Sequence, residues 1–245
     1  MWYDADIDAI MTRTSTRPIP SGAVPRDEAL AMGLIMSAVS VLLMWIASNV
    51  LAAGLLALSI AYYGWFYTII LKRRTAQNIV IGGAAGAFPP VIGWAAVTGA
   101  TPLDAWILFA IIFFWTPPHF WALSLVAHKE YEKAGVPMLP VTSGAKATRL
   151  QILLYTILLV PIGLWPVVTG LGGAIYGATA AAFSLGFLYY AVKLWRSKAG
   201  DPEAGAPART LAMSAFGFSI LYLFGLFAAL IIEHGFGVYF PLGGV

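Results

Sequence analysis

Apolar residues run along this chain in stretches of about twenty, without strict alternation, and short polar segments part them. A stretch of that length matches what a helix needs to cross the hydrocarbon core of a bilayer. Membrane barrel strands would be about ten residues long and would alternate. The pattern predicts seven spans, at roughly 29–48, 51–71, 78–98, 104–126, 149–169, 174–195 and 211–233. The expected fold class is therefore all-α, a polytopic transmembrane helical bundle over 1–245 with no soluble domain.

Composition agrees. The chain has 245 residues, of which 60% are hydrophobic and 10% charged, with a mean hydropathy of +0.82. A soluble domain carries about a quarter charged residues. The absence of cysteine excludes disulfides and cysteine-ligated metals. The acidic, polar first residues do not read as a signal peptide. An isoelectric point near 9.1 reads, in such a chain, as basic residues kept on one side of the lipid bilayer, and no nucleic-acid partner is expected.

The charges sort accordingly. All 14 basic residues fall in alternate connections: before the first span, and after the second, fourth and sixth. The other connections and the tail after Ile232 carry none. The positive-inside rule places the N-terminus and the charged loops in the cytoplasm and the C-terminus on the opposite side. The stretch "SKAGDPEAGAPART" (197–210) is rich in Gly, Pro and Ala and reads as a flexible connector. An acid-and-base loop at 4–26 is echoed at 128–149, four spans later, which hints at a duplicated four-helix unit.

The charged loops hold the candidate chemistry. Asp4 and Asp8 are four residues apart and share a helical face, while Asp6 points elsewhere. Two such carboxylates suit a hard cation such as Mg²⁺, which leaves positions for phosphate oxygens. Arg13 and Arg17 follow at the same spacing, and guanidinium groups suit phosphate. The alternative is a solvated, charge-rich loop. In the "HKEYEKAGVPMLPVTSG" loop, Glu130 is the candidate second metal carboxylate, and the apolar "GVPMLP" either closes over a substrate or simply packs. In "LKRRTAQN", the three bases could only anchor a span, or, with Thr75 and Asn78 as donors beside them, could meet a diphosphate. The small residues after it allow close helix packing, and the Pro89–Pro90 pair predicts a kink. His119, after Pro117 and Pro118 in an apolar helix, is either functional or bonded to a carbonyl that the prolines free.

The segments "WYDADIDAIMTRTSTRPIPSG", "YTIILKRRTAQNIVIGGAAGAFPPVIGW", "WTPPHFWALSL" and "YEKAGVPMLPV" together resemble the UbiA superfamily of intramembrane prenyltransferases, and within it the branch whose acceptor is haem b. They cover residues 2 to about 144. The resemblance implies transfer of a farnesyl group from farnesyl diphosphate to a vinyl group of haem b, giving haem O, the precursor of haem A. It implies Mg²⁺ on Asp4, Asp8 and Glu130 as the catalytic carboxylates. Arg13, Arg17, Lys72 and Asn78 would bind diphosphate, and His119 would contact haem. It implies the bacterial inner membrane, with haem A synthase as a downstream partner. The family motif is Asn-x-x-x-Asp-x-x-x-Asp in a nine-span bundle. Here its asparagine would fall before Met1, so the expectation is an N-terminally shortened member lacking the first two spans. Glu130 stands where the family usually has aspartate. The competing readings are a UbiA-type enzyme with a quinone or chlorin acceptor, and a membrane transporter.

Overall fold

The computed structural model describes residues 1–242, and among these every regular element is helical. A short helix α1 (Ala5–Ile10) precedes α2 (Arg26–Ala47) and α3 (Val50–Ala61). The chain runs on from α3 as a π-helical segment, Tyr62–Leu71. Helices α4 (Asn78–Ala87) and α5 (Pro89–Thr98) make one span, and α6 (Leu103–Lys133) the next. A single turn, α7 (Leu139–Thr142), leads into α8 (Gly144–Thr169), α9 (Ala174–Arg196) and α10 (Ala206–Gly235). Seven helical runs among the described residues are long and apolar enough to cross a membrane. The protein is a polytopic integral membrane protein.

Local chemistry sets the boundaries. Asn49 caps α3: its side chain accepts from the Ala52 amide at 3.0 Å and donates to the Ala95 carbonyl at 2.7 Å, tying the α2–α3 turn to α5. Pro89 and Pro90 occupy the first turn of α5, where an amide hydrogen is not needed. The hydrogen-bond ladder is interrupted at Phe88, whose dihedrals stay helical, so the span is jointed and continues. At 31 residues, α6 is about 46 Å long and outruns the hydrocarbon layer. Hydropathy stops this span near residue 126, but the helix continues to Lys133 and carries Glu130 and Tyr131 beyond the apolar zone.

The core lies where α6, α8, α9 and α10 pack together, around Ile111, Leu159, Tyr176, Phe187, Tyr222 and Leu226. Side chains interlock through missing Cβ atoms. A methyl at Gly163 would collide with the Tyr222 hydroxyl, and one at Gly225 with the Phe183 ring. In contrast, α2 packs along α3 and buries none of its residues.

The 197–210 connection differs from the flexible linker that its composition suggests. Buried Arg149 donates to the Ala199 carbonyl at 2.5 Å and to the two Asp201 carboxylate oxygens at 3.0 and 3.2 Å. Ala199 is fully buried. The loop is pinned because one guanidinium collects three acceptors from it.

Glu233, on α10, is 0% exposed. Its carboxylate accepts from the amides of Gly173 and Tyr176, at 2.7 and 2.9 Å, and so caps the start of α9. Two helix-terminal N–H groups and the positive end of the dipole meet one negative charge there. We predict that Glu233→Ala, which orphans both amides, lowers stability by about 2 kcal/mol or more, read by denaturant titration in mixed micelles. Glu233→Gln keeps one acceptor and loses less. A change in Glu233→Ala below about 0.5 kcal/mol would show that the cap is not needed.

Candidate active site

Six of the candidate residues meet at the charged end of the bundle. Asp4 begins α1 and Asp8 lies one turn on, with the Asp8 amide donating to the Asp4 carbonyl at 2.8 Å. Both carboxylates face inward, at 6% and 3% exposure, while the Asp6 side chain is 60% exposed. Asp4 Oδ2 pairs with Lys72 Nζ at 2.6 Å. Asp8 receives one Arg17 nitrogen on both oxygens at 3.0 Å. Thr14 fixes the return of the chain by donating to the Asp8 carbonyl at 2.9 Å.

Asp8, Arg13, Arg17, Lys72 and Asn78 line a cavity of about 220 Å³. Asp4 adjoins it through Lys72. Arg13 reaches across to the Tyr131 hydroxyl, at 3.4 Å, at the end of α6. Asn78 opens α4, so the positive end of that helix dipole faces the same cavity. The "GVPMLP" loop packs and also covers: Val136 and Met138 are buried against Ile7, Met11 and Ile79, and they form part of the cavity wall.

The cavity continues into the apolar layer. Tyr63, Tyr67, Ile79 and Phe120 line both it and a second space of about 250 Å³, which is bounded further in by Gly82, Gly83 and Gly86. Ile112 and Trp115 also line a wholly apolar groove of about 630 Å³ between α5, α6 and α10. The π-helical segment borders both spaces, and Tyr63 and Tyr67, four residues apart, face them from it. Tyr67 lies on Gly82, where any Cβ would collide with its ring.

Two expected residues stand apart. Glu130 does not line the cavity and makes no ion pair among the described residues, because consecutive helical positions diverge and Tyr131 takes the inward direction. Among the described residues no three His, Cys, Asp or Glu side chains converge as a metal cluster. So Asp4, Asp8 and Glu130 are not gathered at one point, and the first two are held by Lys72 and Arg17. His119 lies in the α6–α10 seam, stacked between Trp115 and Phe216, with Nδ1 at 2.7 Å from Ser219 Oγ. Ser219 donates its proton to the Phe216 carbonyl at 2.6 Å. His119 and Ser219 share the Nδ1–Oγ bond, with the donor set by the histidine tautomer. Its partner is this hydroxyl, and not a carbonyl freed by the prolines.

Local pattern does not show Arg73 as an anchor of α1. It holds Asp6 at 2.7 and 2.8 Å, donates to the Tyr3 carbonyl and lies over the Tyr3 ring. The hydrogen bond from Arg73 pulls the Asp6 carboxyl from its ordinary 3.8 to about 2, and raises the guanidinium in return. The signals that were available were "KRR" and the i, i+4 tyrosines of "YYGWFY".

The oxygen donors fit a hard cation. Asp4 Oδ1 is buried with no hydrogen-bond partner, only the Arg73 guanidinium at 3.5 Å, and Asn78 Oδ1 is likewise buried and unpaired. Unpaired buried oxygens beside carboxylates are what Mg²⁺ accepts.

A membrane bundle with a cationic head cavity opening onto an apolar channel is the architecture of an intramembrane prenyltransferase. The model of the UbiA prenyltransferase family matches residues 1–209, and the chain belongs to that family. Among its relatives, the Hyphomonas neptunium protein named protoheme IX farnesyltransferase is 73% identical over the whole chain, which spans 77% of that protein. The Acidiphilium cryptum protein of the same name is 59% identical over 96% of the chain and 74% of its own length. Two solved structures share the fold. One, described for digeranylgeranylglyceryl phosphate synthase, has a TM-score of 0.74 and 20% identity, covering 94% of this chain and 77% of its own. The other, a UbiA homologue from Archaeoglobus fulgidus bound to DMAPP and Mg²⁺, has a TM-score of 0.66 and 16% identity, covering 94% and 81%.

Two predictions follow from this geometry. Gly82→Ala displaces Tyr67 from the border of the two spaces, and prenyl transfer falls by about tenfold or more while the helix itself gains propensity. Turnover at the wild-type rate would show that the ring position is immaterial. The Asp6–Arg73 pair has a depressed carboxylate, so its contribution is complete above about pH 4 and is lost as pH falls through about 2. Amide protection of α1, corrected for intrinsic rates, should exceed that of Asp6→Asn at pH 7. That difference should close on acidification through this window. A difference that persists below it would remove the pair as the anchor.

Proposed function

We propose that this protein transfers the farnesyl group of farnesyl diphosphate to a vinyl group of haem b, giving haem O for haem A synthesis. The observation that carries the reading is the head cavity bounded by Asp8, Arg13, Arg17, Lys72 and Asn78, which shares Tyr63, Tyr67, Ile79 and Phe120 with a more apolar space beside it. The haem acceptor rests on the relatives named protoheme IX farnesyltransferase. A quinone or chlorin acceptor has no such support, and the two solved structures speak for the fold alone. For transport, the spans would need charge along a path. The buried carboxylate of α10, Glu233, is instead used as a helix cap.

Asp4, Asp8 and Asn78 would be the oxygen donors for magnesium, and Glu130 stands outside the cavity. Magnesium, when bound, neutralises charge on the leaving diphosphate. Arg13, Arg17 and Lys72 bind the diphosphate oxygens and stabilise the charge that builds as the carbon–oxygen bond breaks and its electron pair leaves with diphosphate. Tyr63, Tyr67 and Phe120 flank the allylic carbon at the border of the two spaces, where ring faces favour a cation. The vinyl group then supplies the electron pair of the new carbon–carbon bond. Water adds to the resulting haem-side cation and loses a proton, leaving the hydroxyethylfarnesyl substituent. The apolar walls keep water from the allylic cation until that bond forms. His119, in the α6–α10 seam, is the proposed haem contact.

The charged end faces the cytoplasm across the bacterial inner membrane, where the positive-inside rule puts it, and haem A synthase is the downstream partner. Reconstituted protein given haem b, farnesyl diphosphate and Mg²⁺ should form haem O by mass spectrometry, and chelation should abolish it. Asp4→Ala and Asp8→Ala should each lower turnover by about a hundredfold or more. Product with a quinone acceptor and none with haem b would overturn the acceptor assignment. Gly86 lines the channel and a Cβ there meets nothing within 4 Å. Gly86→Leu should therefore shift preference toward geranyl diphosphate, whereas Gly93→Leu, outside the channel, should not. An unchanged preference in Gly86→Leu would place the chain elsewhere.

A further inference from the structure

A separate polar cavity, of about 210 Å³, lies on the other side of α6 at the charged end. At 3.6 residues per turn, Lys129 points about 180° from Phe120 and about 160° from Tyr131, the α6 residues that face the head cavity. The new cavity is therefore distinct from the candidate active site. His128 and Lys129 of α6, Arg209 of α10 and Asp201 of the connecting loop line it, over an apolar floor that includes Leu125 and Ala212.

Its wall is built. The Arg149 clamp fixes Ala199 and Asp201. Gly200, at φ +85°, lies against α6 so closely that a Cβ would stand 2.7 Å from Leu125 Cδ2. The same clamp decides the charge. Asp201 is the one acid on the wall, and both of its oxygens are taken by Arg149. Among the described residues neither Lys129 nor Arg209 pairs with a carboxylate. His128 holds Nδ1 against the Leu125 carbonyl at 3.0 Å. Two cations from helices eighty residues apart in sequence thus converge on one pocket with their charge unspent.

We propose that this cavity binds the phosphate of an anionic membrane lipid. Phosphate is the chemistry that a lysine and an arginine recognise together. A basic pocket between membrane helices at the headgroup level selects anionic lipids. The apolar floor suits the glycerol and upper acyl chains of an amphiphile, and a free phosphate would leave it uncovered.

The test is native mass spectrometry of the full chain from mixed micelles of phosphatidylglycerol and phosphatidylcholine, with inorganic phosphate as a competitor. Wild type should retain phosphatidylglycerol. The double variant Lys129→Ala/Arg209→Ala should retain it about tenfold less or lower still, the scale of two basic groups at an anionic headgroup. Lys193→Ala, outside the cavity, should behave as wild type. Both cavity side chains are exposed, so their removal leaves the fold intact, and Lys129→Glu provides a second variant with the same expected loss. Equal retention of the two lipids, or retention unchanged in the double variant, overturns the proposal. So does full displacement by inorganic phosphate, which would make this a site for soluble anions.

Discussion

A bilayer cannot solvate charge, and the arrangement of this molecule follows from that. Its apolar stretches must be helices, because only a helix satisfies its own backbone within one segment. Its ionised groups must collect at the ends or find a partner. Basic residues gather at one end, and the acids that join them there become usable chemistry. Glu233, the acid buried in the other half, is held by two helix-terminal amides. The Pro and Gly positions obey the same constraint, marking joints and contacts where α4 meets α5 and where α8 meets α10.

The head cavity turns this constraint into recognition. The short helix α1 places two carboxylates on one face, and Lys72 and Arg17 hold them. A diphosphate suits such a place, because its charge stays among cations at the surface while its hydrocarbon lies in the layer that excludes charge. The π-helical segment supplies the junction. Tyr63 and Tyr67, four residues apart on it, stand at the border between polar and apolar space. The absence of a side chain at Gly82 lets one of those rings lie flush against α4.

What could be read from sequence depended on distance along the chain. The seven spans are a local property of hydropathy and stand where it put them. The shared face of Asp4 and Asp8 is a matter of i, i+4 spacing and holds in α1. Pairings across sixty or more residues left no local trace. Arg73 with Asp6, Lys72 with Asp4, and Glu233 with the start of α9 depend on which helices become neighbours. Composition also misled at 197–210, where a Gly- and Pro-rich stretch is fastened by Arg149, a residue that charge counting placed only as a topology signal. Glu130 shows a limit of motif reading. A carboxylate one position from the cavity wall is near in sequence, yet Tyr131 takes the inward direction.

On the proposed function, the acids of α1 and the bases around them form one magnesium-dependent site for an allylic diphosphate. The most direct measurement is the binding of farnesyl thiolodiphosphate, an analogue that resists ionisation, titrated with and without Mg²⁺ into wild type and Asp8→Asn. Wild type should bind tightly only with Mg²⁺, and the variant should lose that dependence. Equal affinity with and without the metal, or a variant that keeps the wild-type response, would contradict it.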